Sequence, residues 1–289
     1  MNRREFLKAF CCEAGVVSLA GCQGLAGLTH GSSKFKLAMA GYTLYEFDVD
    51  SALAFCKKND VHYLCVKDKH LPFNSTDAQI SEFRRKCEDH GVCPYGVGPI
   101  TMEGSDELRR YFDYAASLGV GLIVGVPAKK MGPTWKDYHS DRKVCEAVSV
   151  LVGEYDVKYA IHNHGRNPKT GNPYLYPAVP ETYEFIKDLD ERVGLCVDWA
   201  YTYADGIDCV DVIRTYRNRI FDGHIRCICD SQNGSSGVNP QKRAFDYDAI
   251  FNALREVSYD GCLGLELKNA FPENPQWIAE SYEYFSGLM

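Results

Sequence analysis

The chain has no compact run of lysine and arginine, which argues against a nucleic-acid partner. Its 32 basic residues are outnumbered by 39 acidic ones, for a net charge of −7. No clean apolar stretch reaches the roughly 18 residues that a spanning helix needs. No Cys-x-x-Cys pair occurs among the 13 cysteines, and Cys227-x-Cys229 is only a weak soft-metal signal. The chain is also too long to be a disulfide-stapled mini-fold. No glycine-rich phosphate loop follows an early strand, which disfavours a doubly wound nucleotide-binding sheet. Gly119-x-Gly121 precedes a strand and reads as a turn.

What is present suits one large globular domain. The chain has 289 residues, 45% apolar and 25% charged, enough to bury a sizeable core. It opens with Arg3-Arg4-Glu5-Phe6-Leu7-Lys8, which resembles a twin-arginine export signal. A small apolar run ends in Leu19-Ala20-Gly21-Cys22, which resembles a lipoprotein box. This implies lipidation at Cys22, a membrane tether through that lipid, and a periplasmic location. A plain cleaved signal, or an uncleaved apolar tail, is the alternative. Residues 1–33 are therefore assigned to signal and linker, and 34–289 to the folded domain. Cys65, Cys196, Cys227 and Cys262 sit in apolar surroundings and read as buried thiols.

From Lys34 onward, short apolar runs alternate with amphipathic stretches. Eight strands are expected: Phe35–Ala40, Tyr63–Val66, Cys93–Val97, Leu122–Val126, Lys158–Ile161, Val193–Val197, Ile220–Ile225 and Cys262–Leu265. The helices expected between and after them are Ser51–Lys58, Asp77–Asp89, Asp106–Ser117, Lys143–Tyr155, Pro180–Leu189, Cys209–Tyr216, Tyr247–Val257 and Trp277–Phe285. A Ser75-Thr76 cap precedes the second helix. Eight buried strands alternating with helices predict an α/β fold, a single-domain (β/α)8 TIM barrel. An open doubly wound sheet is the runner-up.

Barrel chemistry lies at the C-terminal ends of the strands. The last four runs end in His162-Asn163-His164, Asp198, His224-Ile225-Arg226 and Glu266, while the second runs into Lys67-Asp68-Lys69-His70. Imidazoles and carboxylates brought to one end suit a divalent Mn, Co, Zn or Fe ion.

These motifs carry a resemblance. With Gly41-Tyr42-Thr43-Leu44-Tyr45 and His70-Leu71-Pro72, the chain from about Lys36 onward resembles the xylose-isomerase-like barrels, also called sugar phosphate isomerases/epimerases, in an exported branch. The resemblance implies a divalent ion held by His162, Asp198, His224 and Glu266, with His162 where a carboxylate is usual. His164 is a rival or additional ligand. It implies proton abstraction next to a sugar carbonyl, with Glu266 and His162 as catalytic bases. Elimination from the same enediolate would make the chain a 3-keto-glycoside lyase. His70, Lys67, Tyr201 and Arg226 are expected to contact a small carbohydrate substrate. Tyr201 stands where the family has histidine, Arg226-Cys227 where it has Lys-Asp, Gln241–Ala244 where it has Gly-x-Gly, and Lys268 where it is often acidic. These departures support a second reading, an exported sugar-binding barrel without catalysis.

Overall fold

A computed structural model describes residues 34–104, 107–132, 138–166, 175–176, 178–226, 246–267 and 275–289. The N-terminal segment with Cys22, and Cys227, Cys229, Gln241–Ala244 and Lys268, lie outside the described residues.

The chain alternates strand and helix. The first units are β1 (Lys36–Ala40), α1 (Val49–Lys58), β2 (Tyr63–Val66), α2 (Asp77–Asp89), β3 (Cys93–Glu103) and α3 (Leu108–Leu118). Then come β4 (Leu122–Lys130), β5 (Tyr138–Ser140), α4 (Arg142–Tyr155), β6 (Lys158–His162), α5 (Val179–Glu184) and β7 (Val193–Asp198). The last are α6 (Trp199–Ala204), α7 (Cys209–Tyr216), β8 (Ile220–Ile225), α8 (Tyr247–Glu256), β9 (Cys262–Leu265) and α9 (Pro275–Ser286). β1 pairs in parallel with β2 and β9, and β3 pairs in parallel with β4, so the sheet closes. The result is a (β/α)8 barrel, and the open sheet is excluded.

The helices start where the side chains supply caps. Thr76 and Gln79 form a reciprocal capping box on α2, and Asp48, Asp141, Asp208 and Asp246 cap α1, α4, α7 and α8. α3 ends at Gly119, whose φ of 79° is a left-handed stop. Two-residue periodicity splits the strand side chains into two layers. Cys65, Leu122, Val124, Ala160 and Cys196 cluster together, and the far larger cluster includes Ile123, Ile161, Leu195 and Val197 with the apolar faces of the helices.

The expected elements differ mainly at their ends. β3 runs on to Glu103 and β4 to Lys130, and β5 adds to β4 antiparallel, pairing Ala128 with Ser140. Polar Lys129-Lys130 and His139 gave no apolar signal for this ribbon. The helix expected over Pro180–Leu189 is confined to Val179–Glu184. Among the described residues, Cys56, Cys65, Cys87, Cys145, Cys196, Cys209 and Cys262 are buried free thiols.

Candidate metal centre

Four side chains meet at the C-terminal ends of β6 to β9. His162 is the last residue of β6 and Asp198 the last of β7. His224 lies in β8, in register with Asp198. Glu266 follows β9, and its amide donates to the Ile225 carbonyl at 3.0 Å. Thr43, in a 3-10 turn after β1, fixes that end: its hydroxyl donates to Leu265 O at 2.7 Å and accepts from Leu267 N at 2.8 Å. Glu266 is thus held between two tied neighbours.

Asp198 does several jobs. Its Oδ1 accepts from the Ala200 and Tyr201 amides at 3.1 Å, capping α6, so its Oδ2 is left to face the centre. Its own amide donates to Asn163 Oδ1 at 2.8 Å, which ties β7 to the chain just after His162. Trp199 then packs, fully buried, over β8. Gly223 makes this approach possible, because a Cβ there would meet Trp199 Nε1 at 2.8 Å.

His162, Asp198, His224 and Glu266 are all buried and each offers one ligand atom, all within 4.8 Å of one another. His162 Nε2 lies 2.9 Å from His224 Nδ1, 3.4 Å from Glu266 Oε2 and 3.8 Å from Asp198 Oδ2. His224 Nδ1 is 3.0 Å from Glu266 Oε2. Donors held about 2.0–2.2 Å from one ion stand about 3.0–3.6 Å apart, so the spacing fits a single divalent ion. The outer atoms His162 Nδ1 and His224 Nε2 have no hydrogen-bond partner. With the ring protons on those atoms, all four inward atoms present lone pairs, and a cation is what such a convergence requires.

Arg226 supplies part of that charge. Its Nε donates to Asp198 Oδ2 and its Nη2 to Glu266 Oε2, both at 2.6 Å. Its guanidinium also lies 4.6 Å from the Tyr201 ring centroid. Burial opposes an ionised Glu266, but Arg226 and then His224 outweigh it and hold the carboxyl well below the usual range. Burial raises the Asp198 carboxyl against the pull of Arg226. Burial also opposes a charged His224, yet Glu266 beside it lifts its pKa. Burial pushes His162 down to about 4 and His164 to about 3, so both imidazoles are neutral at neutral pH.

Of the other expected residues, Arg226, Tyr201 and His164 lie beside this centre. His164 follows β6 with its ring 4.7 Å from that of His162, beside the four-donor set and not within it. Tyr201 sits on α6, half-buried, its hydroxyl pushed up to about 12 by burial. Lys67 donates to the Pro99 carbonyl and lies 3.4 Å from the Asp68 carboxylate. His70 is buried, and its Nε2 lies 2.9 Å from the Leu44 carbonyl. That ring ties down the turn after β1.

Two residues escaped the sequence reading. Asn163 shows in the sequence only as the middle of His162-Asn163-His164. Asp222 is fully buried two positions before His224, hence on the same face of β8, and that spacing was the available signal. Its carboxylate accepts from the Tyr95 hydroxyl at 3.3 Å and the Gly223 amide at 3.0 Å, with Oδ2 4.0 Å from His224 Nε2. Burial pushes it from 3.8 up to about 7. The folded chain therefore holds an extra proton between about pH 4 and 7, and this group lowers the metal-free protein's stability as pH rises through that window. Asp222→Asn should remove that slope. The variant should match the parent near pH 4 and exceed it by up to ~4 kcal/mol near pH 8. Denaturant melts at both pH values check this, and parallel pH dependence in the two proteins would count against it.

A family profile described as xylose isomerase-like TIM barrel matches residues 36–287. The chain belongs to that family. Among relatives of this barrel, an inosose isomerase of Bacillus velezensis is 22% identical over 244 residues, covering 78% of this chain and 85% of the relative. A D-psicose 3-epimerase crystallised in the presence of D-fructose superposes with a TM-score of 0.64 at 16% identity, covering 88% of this chain and 96% of that one. The IOLI protein with a binding zinc atom gives 0.59 at 21%, covering 88% and 95%. At these identities the structural matches show the shared fold. The barrel-mouth cluster is this chain's own evidence for a divalent-metal site.

Proposed function

We propose that this chain is a divalent-metal-dependent sugar isomerase or epimerase. The observation that carries the reading is the convergence of His162, Asp198, His224 and Glu266 within 4.8 Å at the barrel mouth. The relatives named for an inosose isomerase and a D-psicose 3-epimerase support a polyol or keto-sugar substrate. Bound by these four residues, a divalent ion supplies polarisation of the substrate's carbonyl and hydroxyl oxygens.

The protein's own groups then move the proton. Glu266, held ionised by Arg226 and His224, removes the proton from the carbon next to the carbonyl. The Glu266 carboxyl then returns that proton at the neighbouring carbon; in a two-base route an imidazole at the end of β6, His162 or His164, takes a proton from solvent and delivers it to the opposite face. Tyr201 and Arg226, stacked against each other beside the ligands, border the substrate. Departure of a leaving group β to the same carbonyl would make the reaction an elimination on a 3-keto-glycoside.

The first test is metal content, by elemental analysis of protein purified without chelator. Near-stoichiometric Mn, Co, Zn or Fe is expected, and Asp198→Ala should lose an oxygen-seeking ion such as Mn(II) together with turnover on a panel of keto-sugars and 3-keto-glycosides. Turnover that survives without metal would overturn the mechanism. Saccharide binding by calorimetry with neither metal nor turnover would favour the binding-only barrel.

The twin-arginine motif and Cys22 further support an exported, lipid-tethered protein. Labelling with an alkyne fatty acid should mark the parent and not Cys22→Ser, and label on neither would remove the tether.

A further inference from the structure

The centre contains a donor that the four-residue set leaves out. Cys196 lies on β7 two residues before Asp198, so both side chains face the barrel interior, with the Cys196 backbone about 6.6 Å further down the strand. The register sets it beside His162 on β6 and Asp222 on β8. It is fully buried. His162, Cys196 and His224 each offer a ligand atom, all within 4.8 Å of one another.

Arg226 separates the two donor sets chemically. Its guanidinium donates to Asp198 Oδ2 and Glu266 Oε2 at 2.6 Å each. The lone pairs left over belong to two imidazoles and a thiol, and the outer nitrogens His162 Nδ1 and His224 Nε2 are unpartnered. Two nitrogens and a sulfur suit a soft or borderline ion, whereas the oxygen-rich set suits a harder one.

We propose that His162, Cys196 and His224 form a second, softer metal site that takes Zn(II) or Cd(II) while Arg226 keeps Asp198 and Glu266. The inference rests on the metal-centre reading above and deepens it by assigning a metal-dependent choice of ligands. Both sites need the same two histidines, so they are filled alternately. A hard ion such as Mn(II) must share or take the carboxylate oxygens from Arg226. A soft ion displaces the thiol proton, sits lower in the barrel, and leaves the guanidinium across the mouth. An ion that bonds strongly to sulfur is the one able to displace the thiol proton. The soft-ion form is then the inactive one.

The test loads the full chain with Co(II), Cd(II) or Mn(II) and compares the parent with Cys196→Ser and Cys196→Ala. Cys56→Ser, a buried thiol on α1 outside the site, is the control. Near-ultraviolet sulfur-to-metal charge transfer should appear with Cd(II) and Co(II) in the parent and the Cys56 variant, and vanish in both Cys196 variants. Their Cd(II) affinity, read by chelator competition, should fall by roughly tenfold or more. Mn(II) affinity, read by electron paramagnetic resonance, should not change. Charge transfer that persists without Cys196, or equal Cd(II) affinity in all four proteins, overturns the proposal. If Mn(II) binds none of them, the four-residue centre fails, while the Cd(II) signal still decides the sulfur site.

Discussion

Arg226→Met is expected to destabilise the metal-free protein by about 3–5 kcal/mol and, at the same time, to tighten its hold on a divalent ion. The two effects share one cause. Arg226 bridges Asp198 and Glu266 at 2.6 Å from each, in a site where both carboxylates are buried. Methionine keeps much of the stem that packs near Tyr201 and removes the charge. Two carboxylates then face two imidazoles with no cation between them, and their desolvation is no longer offset. Protonation of one carboxylate will recover part of the loss. A divalent ion will recover more, because it no longer competes with the guanidinium for the same oxygens. Denaturant melts with and without Mn(II) separate the terms. The metal-free variant should melt earlier than the parent, and the increment gained on loading should be larger. Unchanged stability, or weaker ion binding, would mean that the guanidinium does not act on the ligands as the geometry indicates.

The second large effect is expected from Glu266→Gln. The substitution preserves size and leaves Thr43 and its bonds to Leu265 and Leu267 in place. It removes the ionised oxygen that takes the proton. Turnover should fall by about 10²–10⁴, the range typical of losing a general base. Exchange of the substrate's carbon-bound hydrogen with deuterated solvent should fall in parallel. Metal content is measured in the same samples, since Glu266 is also a proposed ligand. Loss of turnover with the ion retained assigns the base. Exchange that continues at the parent rate would move that role to His162 or His164.

Much of the barrel was legible before any coordinates. β2, β8 and β9 span the expected residues, because short apolar runs between turn signals are a local property. α2 and α7 also match, each with a cap written in its first residues. The ribbon of β4 and β5 was not legible. Its residues pair with each other above the barrel and need no apolar pattern. α6 escaped for a different reason: Asp198 was read as a strand-end ligand, and the same residue is also the cap that starts the helix.

Residue types at strand ends brought a His, Asp or Glu from each of the last four strands to one mouth, since a closed parallel barrel gathers one end of every strand there; the family resemblance picked His162, Asp198, His224 and Glu266 among them. Sequence by itself thus determined the alternation, the closure it implies, and the ring of polar residues. Tertiary structure alone decided which atoms meet. Arg226 is 28 positions from Asp198 and 40 from Glu266, yet one guanidinium reaches both. His70 turned inward to Leu44, 26 positions away, and Asp222 entered the layer beneath His224. The physical reason is range: periodicity and capping act within a few residues. Partner choice among buried charges is set by barrel closure and by desolvation, which no local window contains.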